Sequence, residues 1–486
     1  MSLNNSNKRT KIVCTIGPAS EDPKILTKMV KAGMNVARLN FSHGTHANHR
    51  ELMKNIRSVA KKMNQPIAIM QDLQGPKIRV GNLPEKGVML RKGSKMILTT
   101  STNKYNSKDK KIPVTYKLLH KDVQVGHILL LDDGLLEIKV LKTEDKDIIC
   151  EVIVGGKLTS HKGINLPETT LTVPAITKKD EKDVEFGVKM GVDLVALSFV
   201  KNAKEVYDLR YLIRQYEKKL GIKNQPPIKI IVKVEKHEAI KNIDEIIEAT
   251  DGIMVARGDL GIETPAEDVP LLQKGLIDKC LAAAEPVIVA TQMLDSMIRN
   301  PRPTRAEVSD VANAVIDHTD AVMLSGESAT GKYPVRTVET MAKIITETEE
   351  SSYDDLIGNK IKKEFATADE AVSNVATILA NTMKVKLILV ASLGGATARL
   401  VSRYRAELPV LVATNDKRVQ KQLNLSWGII PFVIPQCRSL EEFFDRSVGY
   451  LKKNKYVKKG DRIIIVAGEP VGVVGNTNLV EIKDIR

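Results

Sequence analysis

"IKIIVKVEK", residues 228–236, is an apolar, β-branched run that turns charged at its end, with Lys233 and Glu235 spaced by two. Side chains two apart on a strand share a face, so both charges lie on one face, where a barrel interior would otherwise want Val, Ile or Leu. "DGIMVARGDL" (251–260) repeats the pattern and stops at Arg257 and Asp259. The same kind of run recurs at "VDLVALSFV" (192–200), "PVIVATQML" (286–294) and "DAVMLSGES" (320–328), each separated by helical spacing.

The N-terminal side has the same rhythm. "TKIVCTIGPA" (10–19) precedes the helical "DPKILTKMVKAGM", and "NVARLNFS" (35–42) precedes "THANHRELMKNIRSVAKKM"; a third run, "PIAIMQDLQG" (66–75), is followed by no helix. Near-continuous apolar strands alternating with helices require a parallel sheet covered on its outer faces, and eight such units close a barrel. The rival arrangement is an open, doubly wound sheet. From about residue 76 to 170 the text is "GVMLRKGSKMILTT", "GHILLLDDGLLEIKV" and "DIICEVIVGGKL", with turn signals between, which reads as all-β. After about residue 350, "KLILVAS", "PVLVATN", "IIPFVI" and "RIIIVAG" start a separate α/β unit. The expectation is a (β/α)8 TIM barrel over 1–73 and 171–350, an inserted β-barrel lid domain over 74–170, and a C-terminal α/β domain over 351–486.

Composition sets the class without choosing the chemistry. The 486 residues are 43% hydrophobic and 27% charged, ordinary for a chain that buries large cores. The net charge of +15 suits small acidic substrates as well as nucleic acid, but only 4% of residues are aromatic and no basic run is interleaved with stacking rings. Neither nucleic acid nor a membrane is an expected partner. Cys14, Cys150, Cys280 and Cys437 lie far apart, with no CxxC pair for a disulfide framework or a zinc site. The polar start "MSLNNSNKRT" lacks an apolar signal core and no run reaches membrane-spanning length, so a cytoplasmic protein is expected.

Active sites of such barrels gather at the carboxyl ends of the strands. There the sequence places Arg38, Asn40 and Ser42, then Asp72, Ser198, Lys233 with Glu235, Arg257 with Asp259, Thr291 with Gln292, and Ser325 with Glu327. A buried Lys233–Glu235 pair can be purely structural, but it would leave Asp259 on the adjacent strand unexplained. Two carboxylates from neighbouring strands, with no histidine, suit a hard cation, magnesium or manganese. Glu235 and Asp259 are the expected ligands, with Gly258 and Gly261 letting backbone approach a bound anion. Lys233 and Arg38 would supply positive charge to a phosphoryl group. His43, in "NFSHG", is a general base, a nucleotide contact or a loop histidine. "SGESATGKYP" lacks the spacing GxxxxGK[ST] of a phosphate loop.

"TKIVCTIGPAS", "GMNVARLNFSHG", "DLQGPKIRV", "KGINLP", "KVEKHEAI", "MVARGDLGIE", "ATQMLDSMIRNPRPTRAEVSDVANAV" and "DAVMLSGESATGKYP" closely resemble the pyruvate kinase family, in order and over essentially the whole chain. The resemblance implies phosphoryl transfer from phosphoenolpyruvate to ADP, giving pyruvate and ATP. It implies magnesium on Glu235 and Asp259, Lys233 as the transition-state lysine and Arg38 facing the phosphoryl group. The substrate carboxylate would sit on backbone at Gly258 and Asp259 with the Thr291 hydroxyl, and Ser198 would lie among the substrate contacts. Asn40, His43, Arg79 and Lys162 resemble contacts to nucleotide or phosphate. Members are usually homotetramers.

Two departures from the family stand out. Many members bind potassium through side chains matching Asn40, Ser42 and Asp72 and a carbonyl matching Leu73, and carry glutamate in "GPEIR". Here the text is "GPKIR", with Lys77, as in members that do not need potassium. In the C-terminal domain, "ASLGGATARLVSR" (391–403) replaces the Thr/Ser-rich loop of relatives activated by sugar phosphates. Ser392, Thr397, Arg399 and Arg403 either hold a phosphorylated effector or make a tight turn. Two other functions compete: a magnesium-dependent barrel aldolase or lyase acting on phosphoenolpyruvate or pyruvate, and a scaffold that has lost catalysis. The inserted domain, Lys162 and "NFSHG" argue against the first; intact Lys233, Glu235 and Asp259 argue against the second.

Overall fold

Eight parallel strands hydrogen-bond into a closed barrel in which the first, Lys11–Thr15, pairs with both the second, Val36–Asn40, and the eighth, Ala321–Leu324. Between them run Ala68–Asp72, Leu194–Leu197, Lys229–Val234, Ile253–Ala256 and Val287–Ala290, in ring order. The computed structural model describes residues 8–167, 169, 172–356, 367–473 and 475–486. The open-sheet rival is thereby set aside, because no barrel strand has a free edge.

Strand parity divides the apolar residues into two cores. Val13, Val36, Met70, Ala196, Ile231, Met254, Ile288 and Met323 point inward and fill the barrel. Their neighbours, among them Ile12, Ala37, Ile69, Val195, Val232 and Val255, point outward into the helical ring. The helices start where short polar side chains replace missing backbone partners. Thr45 with Asn48, Thr177 with Asp180 and Thr304 with Glu307 form reciprocal caps, and Asp22 caps the helix opened by Pro23.

Between the third and fourth barrel strands the chain makes a six-stranded sheet and a small two-stranded one, closed over their own core of Leu98, Val114, Leu129, Ile138 and Cys150. Gly75 introduces this excursion. Its φ is +65°, and a Cβ there would come within 2.9 Å of the Phe199 ring, so only glycine lets the linker turn so closely against the barrel. The C-terminal sheet orders its strands Ile429–Val433, Val410–Thr414, Ile388–Ala391, Arg462–Ala467 and Leu479–Asp484. The last strand is antiparallel, an edge the sequence reading did not anticipate. Among the described residues no helix is long and apolar enough to cross a membrane.

The C-terminal unit seats on the amino ends of the barrel strands. Leu425 joins the barrel's inward core, Lys11 Nζ donates to the carbonyl of Ile429 (2.8 Å), and Asn424 reaches the carbonyl of Pro66. Trp427, the one tryptophan, is buried with the guanidiniums of Arg9 and Arg405 each 5.1 Å from its ring centroid. Arg405 in turn binds Asp320 at 3.1 Å. Beside them Asp354 is buried, 3.8 Å from Arg9, and its Oδ1 has no hydrogen-bond partner. Burial, then the neighbouring Glu349 charge, raises its carboxyl from the ordinary 3.8 to about 7.

A carboxyl raised on folding contributes stability that is complete below its unfolded value and is lost as pH rises through its folded value. Asp354→Asn is therefore expected to flatten the dependence of Tm on pH between about pH 4 and 7, and to exceed wild type above that window by on the order of 1 kcal/mol. Thermal denaturation across that range measures it.

Candidate active site

The inward parity of the barrel strands continues past the apolar layers into polar residues. Thr15 follows Val13, Arg38 follows Val36, Asp72 follows Met70, Ser198 follows Ala196 and Lys233 follows Ile231, each by two positions. One face thus runs from hydrocarbon to charge at the carboxyl rim, and register does the assembly: Thr15 lies opposite Arg38, and Asn40 opposite Asp72.

These side chains form one connected chain of contacts. Arg38 donates from Nε to Asp72 Oδ2 at 2.6 Å and from Nη1 to Thr15 Oγ1 at 2.7 Å. Lys233 Nζ donates to Ser198 Oγ (2.9 Å) and lies 2.7 Å from Glu235 Oε1 and 3.5 Å from Asp72 Oδ1. Glu235 Oε2 accepts the backbone N–H of Phe199 at 2.8 Å. Oε1 is ion-paired but carries no aligned hydrogen bond. Burial alone would lower the Lys233 pKa; the Asp72 and Glu235 charges outweigh it and raise it, so the ammonium stays charged. Burial pushes the Glu235 carboxyl up, Lys233 pulls it back, and the Asp259 charge adds to the rise. Asp72 is held below its ordinary value by Arg38 and Lys233 in spite of burial. Removing one partner of such a buried pair costs about 3–5 kcal/mol, so these groups fix one another's positions.

The corner between strands six and seven is strained. Thr291 and Gln292 have φ of +71° and +55°, and Phe199, after strand four, has +58°. For a β-branched residue this region costs of order 1–3 kcal/mol and persists only where neighbours enforce it. Arg257 is the enforcer: it donates to the carbonyls of Thr291 (2.8 Å) and Ala290 (3.3 Å) and pairs with Asp310 (2.7 Å). Thr291 Oγ1 accepts the N–H of Gly258 at 2.8 Å. Asp259 sits in the first turn of the helix Arg257–Glu263, with Oδ1 3.5 Å from Lys77 Nζ. Sequence reasoning assigned no roles to Thr15 or Arg257; inward parity was the signal for the first. The second carried no local signal, because its partners lie on two other segments.

The remaining expected residues divide. Asn40 Oδ1 accepts the Ser42 N–H (3.0 Å), and the Leu73 carbonyl accepts the Ser198 hydroxyl (2.7 Å). His43 is exposed and Arg79 donates to the carbonyl of His161 at 2.9 Å. Lys162 pairs with Asp132 inside the insert at 2.7 Å. In the C-terminal domain the four residues expected at an effector site do not line one cavity. Ser392 and Thr397 line a cavity with Asn415, Phe443 and Thr477. Arg399 instead binds Glu285 (3.0 Å), and Arg403 binds Glu370 (3.2 Å) and the carbonyl of Ala282 (3.1 Å). Carboxylates and carbonyls around the domain boundary have captured both guanidiniums.

The carboxylate pair suits a hard divalent cation: all donors are oxygen, the two charges repel each other, and Glu235 Oε1 has an unused lone pair.

The pyruvate kinase barrel-domain family matches residues 7–338, and the pyruvate kinase alpha/beta-domain family matches 370–483. A pyruvate kinase of Geobacillus stearothermophilus is 44% identical over 481 residues, spanning 98% of this chain and 80% of that one. One of Clostridium acetobutylicum is 43% identical over 480 residues, covering 99% and 100%. A crystal structure of a pyruvate kinase from Cryptosporidium parvum superimposes with a TM-score of 0.91 at 37% identity, covering 99% of this chain and 96% of the other.

Arg257→Ala should release the strained corner. The expected result is a loss of about 2 kcal/mol in thermal stability, with faster amide exchange confined to the Thr291 segment; unchanged exchange there would show that Thr291 holds its conformation without the clamp.

Proposed function

The chain belongs to the pyruvate kinase family, and from that membership we propose how its residues divide the work of moving the phosphoryl group of phosphoenolpyruvate to ADP, the glycolytic step that yields pyruvate and ATP. The aldolase reading is not favoured by the relatives, which are named pyruvate kinase. One observation carries the assignment: the Lys233 ammonium, fixed at 2.9 Å from Ser198 and 2.7 Å from Glu235, stands inside the barrel mouth beside a second carboxylate, Asp259.

Lys233 and Arg38 place two fixed positive charges where the transferring phosphoryl group spreads its charge, which is the main demand of this reaction. Glu235 and Asp259 would hold a divalent cation, magnesium or manganese, which would add positive charge beside Lys233 and Arg38. The substrate carboxylate lies against backbone at Gly258 and Asp259, and the Thr291 hydroxyl stands near the route by which the enolate is protonated. Asn40, His43, Arg79 and Lys162 face the nucleotide phosphates. Lys162 reaches them by leaving Asp132 as the inserted domain, 74–170, closes over the barrel. Its side chain is 42% exposed, so the pair is worth less than about 1 kcal/mol and does not oppose closure.

Potassium is not required in this reading. The Asp72 oxygens are engaged by Arg38 and Lys233, the Leu73 carbonyl by Ser198, and Lys77 adds an ammonium at the mouth. A phosphorylated effector in the C-terminal domain would be held by the hydroxyls of Ser392 and Thr397 rather than by Arg399 or Arg403. A cytoplasmic homotetramer is the proposed form, and Val375 and Ile378, 47% and 51% exposed on one helix, suit a contact between copies.

The first test is pyruvate formation from phosphoenolpyruvate and ADP with magnesium, in buffer free of potassium and ammonium. Full activity there, little changed by added potassium, is the expected result. Lys77→Glu should make activity depend on potassium; a folded variant that stays independent would overturn that part. Lys233→Met should lose about 10²–10³-fold in kcat, and a smaller loss would remove Lys233 from its assigned role.

A further inference from the structure

Each of the two carboxylates assigned to the divalent cation has its own lysine. Glu235 is paired with Lys233 and Asp259 with Lys77. Together the two ammoniums carry the same charge as one divalent cation, so with both in place an arriving metal meets no net negative charge from its ligands. One of them has to leave.

The structure distinguishes the two. Lys233 is 12% exposed and is gripped by Ser198, Glu235 and Asp72 at 2.9, 2.7 and 3.5 Å. Lys77 is 26% exposed, and its ion pair with Asp259, itself 25% exposed, is 3.5 Å long. Lys77 also belongs to the linker that carries the chain from the barrel into the insert. The next residue, Ile78, is part of the insert's core, and its carbonyl accepts the N–H of Ile164 on the returning segment at 2.9 Å. The Lys77 stem passes the same segment, since a Cβ at Gly163 would lie 3.4 Å from Lys77 Cε. A cavity bounded by Pro76, Ile78, Asn165 and Phe199 adjoins Lys77 and leaves its side chain room to swing.

We propose that Lys77 is a displaceable tether: its ammonium and the divalent cation compete for Asp259, so that filling the metal site unpins the outgoing linker of the inserted domain. This rests on the assignment of Glu235 and Asp259 as metal ligands. It gives the ammonium two states, parked on Asp259 without metal and free for the proposed monovalent-cation role once metal is bound. The coupling is reciprocal: whatever affinity Lys77 takes from the metal, the metal takes from the tether.

The experiment uses the full-length protein without substrate or nucleotide, with Mn2+ as the probe. Free Mn2+ is followed by electron paramagnetic resonance, and amide exchange of the linker, residues 74–80, is measured with and without the ion. Lys77→Met should bind Mn2+ about two- to fivefold more tightly than wild type, the range for releasing a partly exposed ion pair. Mn2+ should accelerate linker exchange in wild type and leave it unchanged in the variant. That second reading separates a tether from simple repulsion at a distance, which would tighten binding in the variant without altering the linker in wild type. Equal affinities, or a wild-type linker indifferent to Mn2+, would overturn the proposal while leaving the metal ligands in place. If wild type binds no Mn2+, the ligand assignment and the tether fall together.

Discussion

An ammonium placed among hydrocarbon is stable only where carboxylates and hydroxyls surround it, and the mouth of this barrel is organised around that requirement at Lys233. Asp72 from the third strand, Ser198 after the fourth and Glu235 after the fifth converge on it. Asp72 can do so because Arg38 from the second strand balances its other oxygen, and Arg38 is steadied by Thr15 from the first. Five strand ends are thus tied into one network, and removing any of its charged members singly strands a buried charge. This network sets the positions of Lys233 and Arg38, the groups proposed to face the phosphoryl group, before any substrate arrives, and pre-set charge is worth most where water is excluded.

Below that layer the inward residues are apolar, and the amino ends of the strands are closed by the C-terminal unit through Leu425, Lys11 and the Arg9–Trp427–Arg405 stack. The two ends of the barrel therefore differ in kind. One is sealed by packing and buried ion pairs; the other carries an insert hung on two linkers, with its own core and with ion pairs such as Lys162–Asp132 that are partly exposed. The proposed closure of the insert over the barrel rests on that difference.

Much of the fold was legible in the chain because each element obeys its own period. The barrel strands read as short apolar runs, and the helices between them announce their starts with Thr, Asp and Pro at the caps. Leu479–Asp484 was missed because it is an edge strand, partly exposed on both faces, so its alternation is weak. The glycine-rich turn before Arg399 and Arg403 reads equally as a phosphate site with these arginines nearby or as a tight turn. Glu285 and Glu370 claimed them instead, and both lie far from that turn in the sequence. The strand-end position of Thr291 was legible, but the left-handed backbone that presents it, and the Arg257 clamp that enforces it, leave no periodic trace.

The sequence by itself determined which residue types stand at the strand ends and, through two-residue parity, that Lys233 and Glu235 share the inward face. Parity is a property of any single strand, so no neighbour is needed to establish it. Which charge answers which is a different matter. That Arg38 pairs with Asp72, that Lys233 faces Glu235 while Lys77 reaches Asp259, and that Arg399 and Arg403 turn toward Glu285 and Glu370 depends on register between strands and on the docking of separate units. Those are set by packing across the whole chain, and Coulomb attraction acts over distances in space that bear no relation to spacing along it.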